Sequence, residues 1–187
     1  MKIRRDSTRR WLEAAALGVM SGLRALMPAA TVATRLASDG TSAATGNPAR
    51  RLLATPMVAR GLRWGASLEL VGDKLPFTPP RIMALPLVGR AAWGAMVAVA
   101  WTDARRARDV AAAAVLGAAA ATGGAFAGYE LRRRATVGRR GLGNFVTGAV
   151  EDLVAMAAVY LTAQPRLRDL NFGRRRTITR SKGYVFH

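Results

Sequence analysis

Five apolar stretches, at residues 11–34, 57–75, 83–101, 110–129 and 143–163, alternate with short basic or polar stretches along the chain. Apolar positions recur in them at helical spacing, and none shows the strict alternation of a strand. Each is close to the roughly 20 residues that a helix needs to cross a bilayer. The pattern predicts an all-α membrane protein: a helical domain at 11–163, a basic N-terminal tail at 1–10 and a basic C-terminal tail at 164–187. Residues 38–50, "SDGTSAATGNPAR", read as a loop of small and polar residues and as the most flexible segment.

The first stretch stands apart, because Arg24 and Pro28 fall in its middle. If all five stretches crossed, Lys and Arg would divide almost evenly between the two sides. If the first one dips in and returns, or lies at the interface, the basic residues gather on the side of both termini, as the positive-inside rule favours. The expected architecture is therefore a bundle of four transmembrane helices plus an N-terminal broken or re-entrant helical segment, with both termini cytoplasmic. The arginine-rich loop at 132–140 is the weak point, since this topology places it outside. A cleaved export signal is disfavoured, because Arg24 interrupts the apolar run and no clean small-residue cleavage site follows.

Composition supports this picture. Hydrophobic residues make up 51% and aromatic residues only 6%, which suits closely packed membrane helices better than a water-soluble core. Three Gly pairs at four-residue spacing, Gly18 with Gly22, Gly61 with Gly65 and Gly124 with Gly128, are candidate helix-packing sites. Chance alone produces such pairs in Gly- and Ala-rich chains, so the weight rests on the three together. An internal echo joins "GLRWGASLELV" (61–71) to "NFVTGAVEDLV" (144–154), aligning Gly65 with Gly148 and Glu69 with Asp152. In either topology the two run in opposite directions, as in an inverted repeat, although two apolar helices also resemble one another by chance.

The net charge of +18 admits nucleic acid or anionic lipid as a partner. The basic residues sit in short runs between apolar stretches, and no basic recognition helix or aromatic-studded sheet accompanies them. The lipid bilayer and anionic lipid head groups are therefore the expected partners, nucleic acid is not, and homo-oligomerisation is left open. Cysteine is absent and His187 is the only histidine, which removes thiol chemistry and His-based metal or catalytic sites.

Charges inside apolar stretches carry what remains. Gly61, Gly65, Glu69 and Asp73 fall on one helix face, as do Asn144, Gly148 and Asp152. A charge at the bilayer centre costs about 2.5 to 3.5 kcal/mol, so these acids must face the bundle, pair, or carry protons. Glu69, Asp73, Glu151 and Asp152 are candidate ion- or proton-binding residues, with Arg24, Lys74 and Arg90 as counter-charges. The alternative is that acids and bases neutralise one another and only hold the helices in register. Prolines 76, 79, 80 and 86 should end one helix near a membrane surface and turn the chain into the next.

"SGLRALMPAA", "ELVGDKLPFTPPR", "GRAAWGA", "GGAFAGYELRR" and "AVEDLVA", in this order over about residues 16–160, resemble the bacterial membrane-protein family called domain of unknown function 4126. The resemblance implies a small integral membrane protein without an assigned activity, in a bacterial inner (plasma) membrane. A weaker similarity is to calcium or manganese exchangers, whose repeats carry Glu-x-Gly-Asp. Here Glu69, Gly72, Asp73 and Lys74 give that motif with one residue too many, and the second repeat offers only Glu151 and Asp152.

Three functions compete. A transporter or channel would use the four carboxylates for a proton or a hard cation, which such oxygens suit. A membrane scaffold or assembly factor would hold anionic lipid or a partner protein through its arginines. A lipid-acting enzyme ranks last, because no nucleophile with its base, His cluster or metal motif is present. The expectation is a non-enzymatic protein without a cofactor, its metal, if any, undetermined.

Overall fold

The computed structural model describes residues 2–38, 46–72 and 84–136, and all the secondary structure in them is helical. Six helices follow one another: α1 (Lys2–Leu23), α2 (Met27–Ser38), α3 (Pro48–Leu53), α4 (Pro56–Gly72), α5 (Ala84–Thr102) and α6 (Ala107–Thr136). α5 and the Ala107–Leu131 part of α6 are long and apolar enough to span a bilayer.

Local sequence explains the helix ends. Pro48 and Pro56 each occupy the first position of a helix, where the missing N–H is no loss. Asn47 caps α3 through its side chain, which accepts from Arg50 N–H at 2.8 Å. α5 ends where Asp103 adopts φ 50°, a left-handed conformation that Asp tolerates better than most residues. α1 starts at Lys2, so the basic N-terminal residues, expected as a tail, are its first turns. No Gly or Pro interrupts that stretch, and Arg9 and Glu13 pair one turn apart at 2.9 Å.

α1, α5 and α6 form the packed centre. α5 runs antiparallel to α1, since Arg90 reaches Gly22 and Leu23 while Trp101 reaches Glu13. The three helices approach through glycines. A Cβ on Gly18 would lie 2.8 Å from Ala120 Cβ and 2.9 Å from the Gly117 carbonyl oxygen, and one on Gly22 would strike the backbone of Ala121 and Ala125. Gly124 faces the Val19 backbone in return, and Gly94 and Gly117 sit directly on each other between α5 and α6. Gly128 is buried as well. Spacing had singled out Gly18, Gly22, Gly124 and Gly128, but not the Gly94–Gly117 contact. The signal for that contact was the wider pattern of small residues four apart, Gly94 with Ala98 and Ala113 with Gly117 and Ala121.

The expected Gly61–Gly65 crossing is not made among the described residues. A Cβ on Gly61 would meet nothing within 4 Å, and one on Gly65 would meet only Leu26 Cδ1, at 2.9 Å. Gly148 lies outside the described residues, and so does the rest of the repeat that would face this pair.

α1 and α2 make a hairpin. α1 passes Trp101 halfway along, where Trp101 Nε1 donates to Glu13 at 3.1 Å, and ends at the level of Arg90. α2 then returns, because its Arg35 lies over the Trp101 ring at 5.3 Å. The loop after it ends at the same place. Asn47 Nδ2 donates to the carbonyls of Val99 (2.8 Å) and Ala104 (3.0 Å), and Asn47 N–H donates to Asp103 at 3.1 Å. The N-terminal half of α1, the end of α2 and the α5–α6 corner thus lie toward one end of the bundle, the Trp101 end. α4 ends and α5 begins at the other, the Ala84 end. The first apolar stretch thus folds back on itself as a hairpin. Within the polar loop, Asn47 is 5% exposed and fastened by five hydrogen bonds, whereas flexibility was expected there. The Asn-Pro pair was the sign of it, an N-cap followed by a proline at the first helical position.

Candidate functional site

The hairpin turns at Arg24, Ala25 and Leu26, and Pro28 is the reason. A continuous helix would need a Pro28 N–H to bond the Arg24 carbonyl, and the proline ring would clash with that same carbonyl. The helix therefore stops near Arg24, whose own N–H still bonds Met20 at 2.7 Å. It resumes at Met27. The break lies within the bundle. Arg90, which marks its level, is about 9 Å along α5 from Ala84 at 1.5 Å per residue, roughly a third of that helix.

Breaking a helix inside an apolar bundle strands backbone N–H and carbonyl groups that need new partners. In an unbroken helix Leu26 N–H would bond the Gly22 carbonyl. Here Glu69 of α4 takes the donors, Oε1 accepting from Ala25 N–H at 2.8 Å and Oε2 from Leu26 N–H at 2.9 Å. Arg90 of α5 takes the acceptors, its Nη1 donating to the Gly22 carbonyl at 2.6 Å and the Leu23 carbonyl at 3.1 Å. The anion sits at the positive N-terminus of α2 and the cation at the negative C-terminus of α1, so each charge also meets the favourable end of a helix dipole. One acid and one base from two different helices replace the helical bonds that are lost where the helix breaks.

Both arginines at the break are deeply buried, Arg24 at 4% and Arg90 at 7% exposure, and Ser21 beside them is fully buried. Ser21 returns its hydroxyl to the Leu17 carbonyl at 3.0 Å. Thr31, Thr34, Ser67, Thr102 and Thr122 likewise bond the carbonyl one turn back in their own helices. Hydroxyls satisfied in this way need no water.

Of the residues singled out by charge, Arg24, Glu69 and Arg90 come together at the break. Asp73, Lys74, Glu151 and Asp152 lie outside the described residues. Glu69 and Arg90 each bond the backbone at the break. Asn47 was missed altogether; it does for the Trp101 end what Glu69 and Arg90 do for the break. No three Asp, Glu, His or Cys residues are grouped to hold a metal ion among the described residues.

The described architecture is thus an all-helical bundle with a helical hairpin at its start and a charge-capped break. The chain belongs to the family described as Domain of unknown function (DUF4126), whose model matches residues 8–165. No curated protein and no solved structure matches the chain.

Proposed function

We propose that this chain is a multi-pass membrane protein, with both termini cytoplasmic, that works as a proton- or cation-linked transporter or channel. The observation that carries the reading is the break itself, a helix interrupted inside the bundle with an acid at one stump and a base at the other. Interrupted helices of this kind build ion and substrate sites in membrane transporters, where unwound backbone and helix ends supply the ligands.

The membrane reading draws on the two long apolar helices, of which only 28% is buried within the chain, whereas the core helix of a water-soluble protein is mostly buried. Large apolar side chains such as Leu12, Val115 and Phe126 are half or more exposed, which suits contact with lipid. Their number alone would fit a protein interface too; the self-satisfied hydroxyls favour lipid.

In this mechanism Glu69 is the moving part. As a carboxylate it holds Ala25 and Leu26 N–H with both oxygens. A proton or bound cation on it would weaken those charge-assisted bonds, leave Arg24 and Arg90 less compensated, and loosen the junction of α1 and α2. Uptake and release of the ion would then be linked to opening of the break. The test is ion flux in proteoliposomes under a pH gradient, with Glu69→Gln beside the native chain. Native flux lost in Glu69→Gln supports the reading, and absence of flux in the native chain across protons and common cations refutes it.

The alternative is a scaffold or assembly factor that binds anionic lipid or a partner protein. One observation favours it: the bonds of Glu69 and Arg90 already complete the break, so their charges are explained without an ion. In that case no flux is seen, and Glu69→Gln changes stability alone.

A further inference from the structure

α6 carries its charges only near its two ends. Residues 110–129 hold no charged residue, and at 1.5 Å per residue they span about 30 Å, the thickness of the hydrocarbon core of a bilayer. Arg105, Arg106 and Arg108 stand just outside this run at the Trp101 end, at the height of lipid head groups. Other elements bring arginines to the same place. α1 is antiparallel to α5, so Arg9 and Arg10, about one turn before Glu13, lie past the Trp101–Glu13 bond toward the α5–α6 corner. α3 is fastened to that corner by Asn47, and its next turn carries Arg51. All six of these arginines are exposed, and the partly buried Trp11 and Trp101 sit just inside them, as amphipathic rings do at a membrane interface.

The acids at this end are set back. Arg9 pairs with Glu13 at 2.9 Å, Arg105 with Asp103 at 3.3 Å and Arg108 with Asp109 at 3.4 Å. In these pairs the arginine side chains are 63 to 79% exposed and the carboxylates only 17 to 41%. Glu13 and Asp103 also accept from donors within the bundle, Trp101 Nε1 and Asn47 N–H. The outer surface of this end is therefore cationic, although its sequence contains acids. Arg9 and Arg108 meet their acids through Nε, one of the five N–H donors of a guanidinium, so pairing orients the group and leaves it able to bind an anion.

We propose that the Trp101 end is a binding face for anionic phospholipid head groups, with Arg105, Arg106 and Arg108 of the α5–α6 corner, Arg9 and Arg10 of α1 and Arg51 of α3 taking the lipid phosphates. Guanidinium groups match phosphate oxygens in pairs, and the recessed acids hold three of them at the height where those oxygens lie. A soluble polyanion would meet the same charge, but these arginines border an apolar surface. Arg108, the exposed Ala112 and Val115, 68% exposed, follow one another on one face of α6, which favours a ligand that carries acyl chains beside its phosphate. In a cell the anionic leaflet is the cytoplasmic one, so this face turns the Trp101 end toward the cytoplasm. The proposal rests on the membrane reading of the fold and is independent of ion transport.

Because the chain has no cysteine, a fluorophore can be attached at Ala112→Cys alone, one turn inside Arg108 on the same face. The full-length protein is reconstituted in phosphatidylcholine vesicles containing brominated phosphatidylcholine or brominated phosphatidylglycerol, and quenching gives the relative affinity of the two lipids at that position. One basic residue at an anionic surface is worth about fivefold, so phosphatidylglycerol should be preferred by about fivefold or more at low salt and by less at high salt. Arg106→Gln/Arg108→Gln should bring the two lipids near parity, and Arg106→Lys/Arg108→Lys should keep most of the preference. The Arg106 carbonyl, not its side chain, accepts from Val110 N–H at 3.0 Å, so these variants keep the start of α6. Arg133→Gln/Arg134→Gln removes the same charge at the opposite end and should leave the preference within about twofold of native. Equal quenching by the two lipids in the native chain, or an equal loss in the two glutamine variants, overturns the proposal. Salt-sensitive binding of soluble polyglutamate without a lipid preference would assign the face to an acidic protein instead. A chain that fails to enter neutral vesicles overturns the membrane reading, and this proposal with it.

Discussion

Removing the Glu69 carboxylate should release the α2 N-terminus, and the size of the effect follows from the two bonds it accepts. Ala25 and Leu26 N–H reach its oxygens at 2.8 and 2.9 Å, in place of the helical partners they lose at the break. A hydrogen bond to a charged group is worth about 1.5 to 3 kcal/mol, and a buried donor left without a partner costs about 1 to 3 kcal/mol. Glu69→Gln keeps one acceptor and turns an amide N–H₂ toward the other donor, so it should cost about 1.5 to 3 kcal/mol. Glu69→Ala abandons both donors and should cost about 2 to 6 kcal/mol.

Hydrogen exchange reads this locally, since each 1.4 kcal/mol is a factor of ten in the opening equilibrium. In detergent or lipid, amides 25 and 26 should exchange about 10 to 150 times faster in Glu69→Gln than in the native chain, if opening governs the rate. Amides in the middle of α6, which Glu69 does not touch, should change little. The reasoning fails if amides 25 and 26 are equally protected in the native and Glu69→Ala proteins, because the carboxylate would then not be what satisfies them.

Gly22→Leu should cost at least about 1 to 3 kcal/mol in denaturant unfolding, because its side chain meets the backbone of Ala121 and Ala125 rather than a movable side chain. Gly123→Ala, in the same helix pair but with nothing within 4 Å of its Cβ, should instead stabilise by about 0.5 to 1 kcal/mol. Asn47→Asp keeps the cap acceptor but loses both Nδ2 donors and turns a carboxylate toward Val99 and Ala104 carbonyls and Asp103, so thermal unfolding should show a loss of about 2 kcal/mol or more although Asp is a good N-cap elsewhere. In oriented vesicles, cysteines at Thr8 and Thr55 should be labelled from one side and a cysteine at Arg134 from the other; Thr8 and Thr55 on opposite sides would contradict the hairpin.

Hydrophobic patterning located the helices well, because length and helical periodicity are what it measures. The apolar stretch 83–101 became Ala84–Thr102, and 57–75 became a helix beginning at Pro56. It placed the α6 ends less well. α6 continues to Thr136, past its apolar part, where Glu130 binds Arg133 and Arg134 at 2.8 Å and carries the helix into its basic end. Arg24 and Pro28 marked the interruption of the first stretch, and the hairpin turns there.

What patterning left obscure was the purpose of the charges. Glu69 and Arg90 were legible as ionisable residues inside apolar stretches, but the sequence alone did not point to the backbone among their partners. A broken helix is the one place in an apolar bundle where the backbone itself presents charge, positive at the new N-terminus and negative at the new C-terminus. Pro28 creates that demand, and Glu69 and Arg90, some 40 and 60 residues away, answer it from helices that sequence spacing does not place beside it. Asn47 repeats the logic at the Trp101 end, where its amide answers the carbonyls of Val99 and Ala104. Reading such a chain for polar residues therefore requires asking first where its prolines strand N–H and carbonyl groups, and only afterwards which acids remain for an ion. By that order Glu69 is committed to the backbone in the described state. Each oxygen of Glu69 accepts one backbone N–H, so any ion taken up there would share the carboxylate with Ala25 and Leu26 and bear on the strength of the cap.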